Sequence, residues 1–131
     1  MSMDNEVLST CEVNIMRAIW KAEGDISIPD LTEVLRTEYG KDYARTTVVT
    51  FLLRLSNKRF VSTYRKGRLS YAHAEVTEDE YKTKLAAREA DFWFQGMLSN
   101  FVAAFCKERK LEKEDADRIR EIINGLDDTS K

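Results

Sequence analysis

Arg45-Thr46-Thr47-Val48-Val49-Thr50-Phe51-Leu52-Leu53-Arg54-Leu55-Ser56-Asn57-Lys58, followed by Val61-Ser62-Thr63-Tyr64-Arg65-Lys66-Gly67-Arg68-Leu69-Ser70-Tyr71-Ala72-His73-Ala74, is the stretch on which the fold turns. In its first part Val48, Phe51, Leu52 and Leu55 recur at steps of three, one and three, which is one apolar face of a helix. Thr47, Thr50, Arg54 and Lys58 recur at steps of three, four and four and place hydroxyls and cations on another face. The second part is two short runs of β-branched and aromatic residues divided at Lys66-Gly67. It predicts a β-hairpin whose turn takes its positive φ at Gly67.

The charge of this stretch sets it apart. From Tyr43 to Ala74 there are seven basic residues (Arg45, Arg54, Lys58, Arg59, Arg65, Lys66 and Arg68) and no Asp or Glu. The 131-residue chain as a whole carries a formal charge of −2, and from Glu75 onward it has 10 basic against 14 acidic residues. A basic island in an acidic chain is the local footprint of a polyanion site, which the whole-chain balance hides.

Toward the N-terminus two helices precede the basic stretch. Ser9-Thr10-Cys11-Glu12 has the spacing of a capping box, Leu8 and Val13 stand at the staple positions, and Val13, Met16, Ile19 and Trp20 follow at helical spacing. Gly24 is expected to supply the stop. Ser27-Ile28-Pro29-Asp30 reads as a second capping box, Leu31, Val34 and Leu35 as one apolar face, and Tyr39-Gly40 as the close. Three helices and then a hairpin is the winged-helix plan, in which the third helix can enter a major groove and the hairpin lies against the backbone.

Toward the C-terminus the chain is helical again. Thr77-Glu78-Asp79-Glu80 is a third capping box, Tyr81, Leu85 and Phe92 share a stripe, Gly96 marks a bend, and Leu98, Phe101, Val102 and Phe105 carry the pattern on. A last helix is expected from about Lys113 to Asn124, with Ile119, Ile122 and Ile123 on its apolar side and Gly125 at its end. Phe92, Trp93, Phe94, Phe101 and Phe105 are more aromatic surface than a thin arm can bury alone, which points to association with a second copy. The expected class is mainly α with a small β-hairpin, organised as a winged helix-turn-helix head over 1–75 and a helical dimerisation arm over 76–131.

Other chemistries find no support in the residues. There is no phosphate loop, no paired-cysteine metal spacing, and His73 is the lone histidine, so neither enzyme, cofactor nor metal site is expected. The acidic cluster Glu112, Glu114, Asp115 and Asp117 stands beside Lys and Arg and reads as solvated surface. No apolar run approaches the roughly eighteen residues of a membrane span. The start, Met1 to Asn5, lacks a signal peptide's basic and apolar parts, so no membrane insertion and a cytoplasmic location are expected. Cys11 and Cys106 are expected to be buried thiols.

The run from Leu8 to Leu126 resembles the penicillinase-repressor group of bacterial transcriptional repressors. The likeness lies in Leu8-Ser9 with Glu12, Ile19-Trp20, Thr46-Thr47-Val48 with Thr50, Arg54-Leu55, Arg65-Lys66-Gly67-Arg68 with Tyr71, and Thr77 with Glu80-Tyr81. It continues through Leu98-Ser99-Asn100-Phe101-Val102-Ala103-Ala104-Phe105. The resemblance implies a homodimer whose two heads bind a palindromic double-stranded DNA operator and block transcription. In the β-lactam-sensing members a membrane sensor protease triggers cleavage of an Asn–Phe bond in the arm, here Asn100-Phe101. The copper-sensing members carry a C-terminal cysteine cluster that this chain lacks. Two departures stand out: Arg59 replaces the glycine that usually ends the third helix, and Glu112 replaces the usual small cap of the last one.

For Arg45, Thr46, Thr47, Thr50, Arg54 and Lys58 the reading is groove contact, since helix-start amides and hydroxyls suit phosphates, Thr methyls suit thymine, and Arg reads guanine. Arg65, Lys66 and Arg68 at a hairpin tip read as phosphate anchors. The dull alternative, a solvated face, usually mixes charge signs, and this one does not. Phe92, Trp93, Leu98, Phe101, Val102, Phe105, Ile119, Ile122 and Ile123 read as the dimer surface. Phe101 is thus both a core or interface position and one side of the candidate cleavage bond. The competing classes are a winged-helix protein-interaction module without DNA binding, and a repressor answering to a small ligand or a redox signal.

Overall fold

The computed structural model describes residues 7–129. The chain divides into two units, Met1–Thr83 and Lys84–Lys131.

In the first unit α1 (Thr10–Lys21) starts on the expected capping box: the Ser9 hydroxyl accepts from the Glu12 N–H at 3.2 Å, and Glu12 Oε1 accepts from the Ser9 N–H at 2.8 Å. Its end differs from expectation. Ala22 is the C-cap and the left-handed residue is Glu23 at φ 57°, so Gly24 is not the stop. Next comes an element absent from the sequence reading, the two-residue strand β1 (Ile26–Ser27). It leads into α2 (Ile28–Glu38), which starts on half of the expected box: Ser27 Oγ accepts from the Asp30 N–H, and Asp30 is one methylene shorter than the Glu or Gln that closes such a box. Gly40 at φ 64° follows the Tyr39 C-cap, as expected.

The third helix, α3 (Arg45–Asn57), ends on Lys58 as C-cap. Arg59 adopts φ 67°, Phe60 N–H bonds to Leu55 carbonyl at 2.9 Å, and Arg59 N–H bonds to Ser56 carbonyl. This is a Schellman ending with arginine where glycine is usual, closed by the apolar pair Leu55 and Phe60, both buried. The chain then enters β2 (Val61–Lys66) and β3 (Leu69–Ala74), antiparallel with Lys66 opposite Leu69. Gly67 alone of the two loop residues has positive φ, the pattern of a type II′ turn. The sheet order is β1-β3-β2.

These elements surround one core. Ile15, Met16 and Ile19 of α1, Leu31 and Leu35 of α2, Val48, Leu52 and Leu55 of α3, and Val61 and Ala72 of the sheet are all buried. The Trp20 indole N–H donates to the Val76 carbonyl at 2.8 Å, and the Tyr81 ring packs on both Trp20 and Phe60. The start of α4 (Glu78–Phe94) is thereby held to the head, and it carries the third capping box between Thr77 and Glu80.

In the second unit the chain turns at Gln95 and Gly96, both at positive φ, into α5 (Leu98–Glu108) and then α6 (Lys113–Thr129). Gly125 does not end α6: the helix runs past it to Thr129. Cys106 is exposed rather than buried, and Cys11 is half-buried. No helix among the described residues is long and apolar enough to cross a membrane.

Candidate nucleic-acid interface

The start of α3 differs from those of α1, α2 and α4. Its N-cap is Ala44, which offers no side-chain acceptor, and its first turn holds no acid. The first amides of Arg45, Thr46 and Thr47 therefore lack the side-chain partner that Ser9, Ser27 and Thr77 give the other helices. Unsatisfied amides at the positive end of a helix are suited to an anion.

Along α3 the faces separate cleanly. Val48, Leu52 and Leu55 are buried; Arg45, Thr46, Thr50 and Arg54 are exposed, and Thr47 is half-buried at the edge. The Thr50 hydroxyl donates to the Thr46 carbonyl at 2.9 Å, so its proton is spent inside the helix and a methyl group and an acceptor oxygen remain. The Arg54 guanidinium lies 4.9 Å from the centre of the Phe51 ring, a cation–π contact that restrains it on the surface. Two residues that the sequence pattern did not single out share the exposed face: Leu53 is 63% exposed and Val49 45%. Both fall outside the apolar face Val48, Phe51, Leu52 and Leu55, which was the available signal, but the reading of the outer face counted only its hydroxyls and cations.

Lys58 sits differently from the other cations. Its Nζ donates to Glu12 Oε1 at 2.8 Å and to the Val7 carbonyl at 2.9 Å. Glu12 is 2% exposed, so this ammonium is committed to neutralising a buried carboxylate and tying the end of α3 to the start of α1. Burial by itself would raise the Glu12 pKa; the bonds from Lys58 and from the Ser9 amide and hydroxyl outweigh it and hold the carboxyl below its usual value. The mixed polar stripe on α3 concealed this, because the partner lies 46 residues earlier in the chain.

At the hairpin Arg65, Lys66 and Arg68 are all exposed, with Arg65 Nε donating to the Gly67 carbonyl at 3.3 Å. Among the described residues Arg45, Arg54, Arg59, Arg65, Lys66 and Arg68 form no ion pair, whereas Lys21, Arg36, Lys82, Lys113, Arg118 and Arg120 each pair with a carboxylate. Arg17, Lys41, Lys107, Arg109 and Lys110 also form none, but only on α3, the turn that ends it and the hairpin do unpaired cations stand in a long run of the chain that holds no acid.

The penicillinase repressor family model matches residues 8–125. The chain belongs to the penicillinase repressor family. It is 24% identical over 119 residues to the penicillinase repressor of Staphylococcus aureus, covering 91% of this chain and 92% of that one. It is also similar to the solution structure of the DNA-binding domain of the repressor BlaI, at 26% identity and a TM-score of 0.49 over 56% of this chain and 87% of that one. The matched span takes in α1–α3, the hairpin and the arm helices, so the departure from the family pattern at Arg59 falls within it.

The arm helices of this repressor carry the apolar surface expected of them. Phe92 is 73% and Trp93 66% exposed, and Leu98, Phe101, Phe105, Ile122 and Ile123 are exposed as well, while Val102 and Ile119 are half-buried. Met97 and Leu126 add to it. The rings of Phe94 and Phe101 meet edge to face at 5.4 Å. Asn100 is exposed in the first turn of α5, where the Met97 carbonyl accepts from the amides of both Asn100 and Phe101.

Proposed function

We propose that this member of the family is a homodimeric winged-helix repressor that binds a dyad-symmetric DNA operator. In this reading α3 lies in the major groove. Thr46, Thr47, Thr50 and Arg54, together with Val49 and Leu53, face base edges, the amides at the helix start and Arg45 meet a phosphate, and Arg65, Lys66 and Arg68 anchor the wing on the backbone. Lys58 holds α3 in place and does not touch DNA. The observation that carries the reading is the concentration of unpaired cations on α3 and the hairpin, with no acid between Tyr43 and Ala74. A protein-interaction module would have no use for that run.

The exposed aromatic and aliphatic side chains of α4, α5 and α6 supply the dimer contact, which sets the two heads at a fixed spacing. Repression is relieved when the arm is cut at Asn100-Phe101. That bond sits at the first turn of α5, where a helix opens at least cost. The test is a titration with an operator duplex and a random duplex over a range of salt. The expected result is preference for the operator and a slope of log K against log salt of about −0.9 per phosphate neutralised. Equal affinity for both duplexes, or no salt dependence, overturns the reading.

A further inference from the structure

The outward face of the sheet carries one polar cluster that the core and the DNA-facing residues do not use. Ile26 pairs with Ala72, so Asp25, one residue earlier, falls at the register position beside His73. Tyr64 pairs with Tyr71, and strand alternation brings Tyr64, Tyr71 and His73 to the same face. Asp25 Oδ1 meets His73 Nδ1 at 2.7 Å, and Asp25 Oδ2 accepts from the Tyr64 hydroxyl at 2.6 Å. The Tyr64 and Tyr71 rings stack at 5.6 Å with their planes 13° apart. One carboxylate in the α1–β1 turn therefore grips both strands of the hairpin, just below the tip that carries Arg65, Lys66 and Arg68.

We propose that Asp25 is a positioning residue for the wing: its carboxylate clamps β2 through Tyr64 and β3 through His73, and the stiffness of the wing on DNA follows the protonation of His73. This rests on the DNA-binding reading above for its consequence, though not for the clamp itself. A two-stranded ribbon that protrudes from its core is soft, and ordering it on binding costs conformational entropy. A clamp formed beforehand removes part of that cost and sets the angle at which the tip cations meet phosphates.

The groups facing His73 are Asp25 from the α1–β1 turn, Tyr64 and Tyr71 from the sheet, Glu75 just after β3, and Glu78 from the first turn of α4, which lines the same shallow cavity. The bond to Asp25, its charge and, more weakly, Glu75 raise the His73 pKa above its usual 6.5, while the bond from the Tyr64 hydroxyl and then that from His73 lower the pKa of Asp25. The sign follows. The charged His73–Asp25 pair is fully formed below the ordinary histidine value and is lost as pH rises through the raised one.

The test uses hydrogen exchange of the free full-length chain, converted to protection factors, at Tyr64, Lys66, Leu69 and Tyr71, the amides that the hairpin ladder bonds, with Leu52 and Leu55 reporting the core. In Asp25→Ala and in Tyr64→Phe, which keeps the ring stack and removes only the hydroxyl, wing protection is expected to fall about threefold to tenfold with the core unchanged. In the wild type, wing protection is expected to decline as pH rises past His73, and in His73→Gln this dependence vanishes. Wing protection unchanged in both Asp25→Ala and Tyr64→Phe overturns the clamp. Operator titrations of the same variants then separate the two ideas. A wild type that binds no DNA overturns the DNA-binding reading and leaves the exchange result standing. Loosened wing amides with unaltered operator affinity overturn the positioning role.

Discussion

Arg59 holds a left-handed conformation, φ 67°, that costs an L-residue with a side chain about 1–2 kcal/mol over glycine. Its two backbone bonds and the Leu55–Phe60 contact impose it. Arg59→Gly is therefore expected to stabilise the head by about 1 kcal/mol, less what glycine's freer unfolded chain takes back, read as a rise in the urea midpoint at constant slope. The substitution was visible in the sequence as a missing glycine, but not that the same turn forms with arginine. Glu12 and Lys58 show the opposite limit, since each was assigned a local role and neither sequence neighbourhood contains the other. Lys58→Met leaves a carboxylate buried and uncompensated, with an expected loss of about 2–3 kcal/mol at neutral pH, below the fully buried figure because Lys58 is 25% exposed. Glu12→Gln with Lys58→Met together should cost less than the two changes summed. Because the folded state lowers the Glu12 pKa, the stabilisation is present above its unfolded value and is lost as pH falls through the lowered one. Urea unfolding from pH 7 down to pH 3 is expected to show a fall below about pH 4.5 that shrinks in the double variant.

Among the elements, the helices were legible because their apolar periodicity and Ser/Thr caps agree with each other, as at Ser9–Glu12 and Thr77–Glu80. The hairpin was legible from Gly67. The strand β1 was not, since two residues carry no period, and Ile26-Ser27 becomes a strand only because β3 offers it an edge. Gly24 and Gly125 misled for a related reason: glycine permits a helix end and does not require one, and Glu23 takes the left-handed position while α6 runs on. On α3 the proposed DNA-facing roles divide in a measurable way. Arg54→Ala or Thr47→Ala is expected to cost roughly 1–3 kcal/mol on the operator and to relax preference at particular base pairs. Lys66→Ala should weaken all duplexes alike and make the salt slope shallower by about 0.9. Lys58→Met should leave that slope unchanged, because its charge is already spent on Glu12. A binding titration of the three variants against operator and scrambled duplexes at several salt concentrations decides each. A slope reduced by Lys58→Met would return that residue to the DNA surface.

At the scale of the whole chain, a small head with one core is joined to helices whose apolar side chains stand in solvent, among them Phe92, Trp93, Leu98 and Ile122. The head needs none of them to close its own core, since among the described residues every buried hydrophobic one lies between Ile15 and Ala72. In the proposed dimer the arm's contribution belongs to a second copy. One head offers a single half-site's worth of contacts. Linking two makes the second contact intramolecular, a gain that reaches about a hundredfold or more when the spacing fits. Removing Phe101 onward takes away Phe105, Ile119, Ile122 and Ile123 together, and leaves the Trp20–Tyr81 and Phe60–Tyr81 packing that holds the start of α4. A 1–100 fragment is accordingly expected to keep the head's cooperative unfolding and to run as a monomer or weak dimer in sedimentation. Its operator affinity should drop by about a hundredfold while it retains the full chain's order of preference among single half-sites. A fragment that stays a tight dimer with undiminished affinity would remove the dimer role of α5 and α6, and with it the physical basis for relief of repression by a cut at Asn100-Phe101.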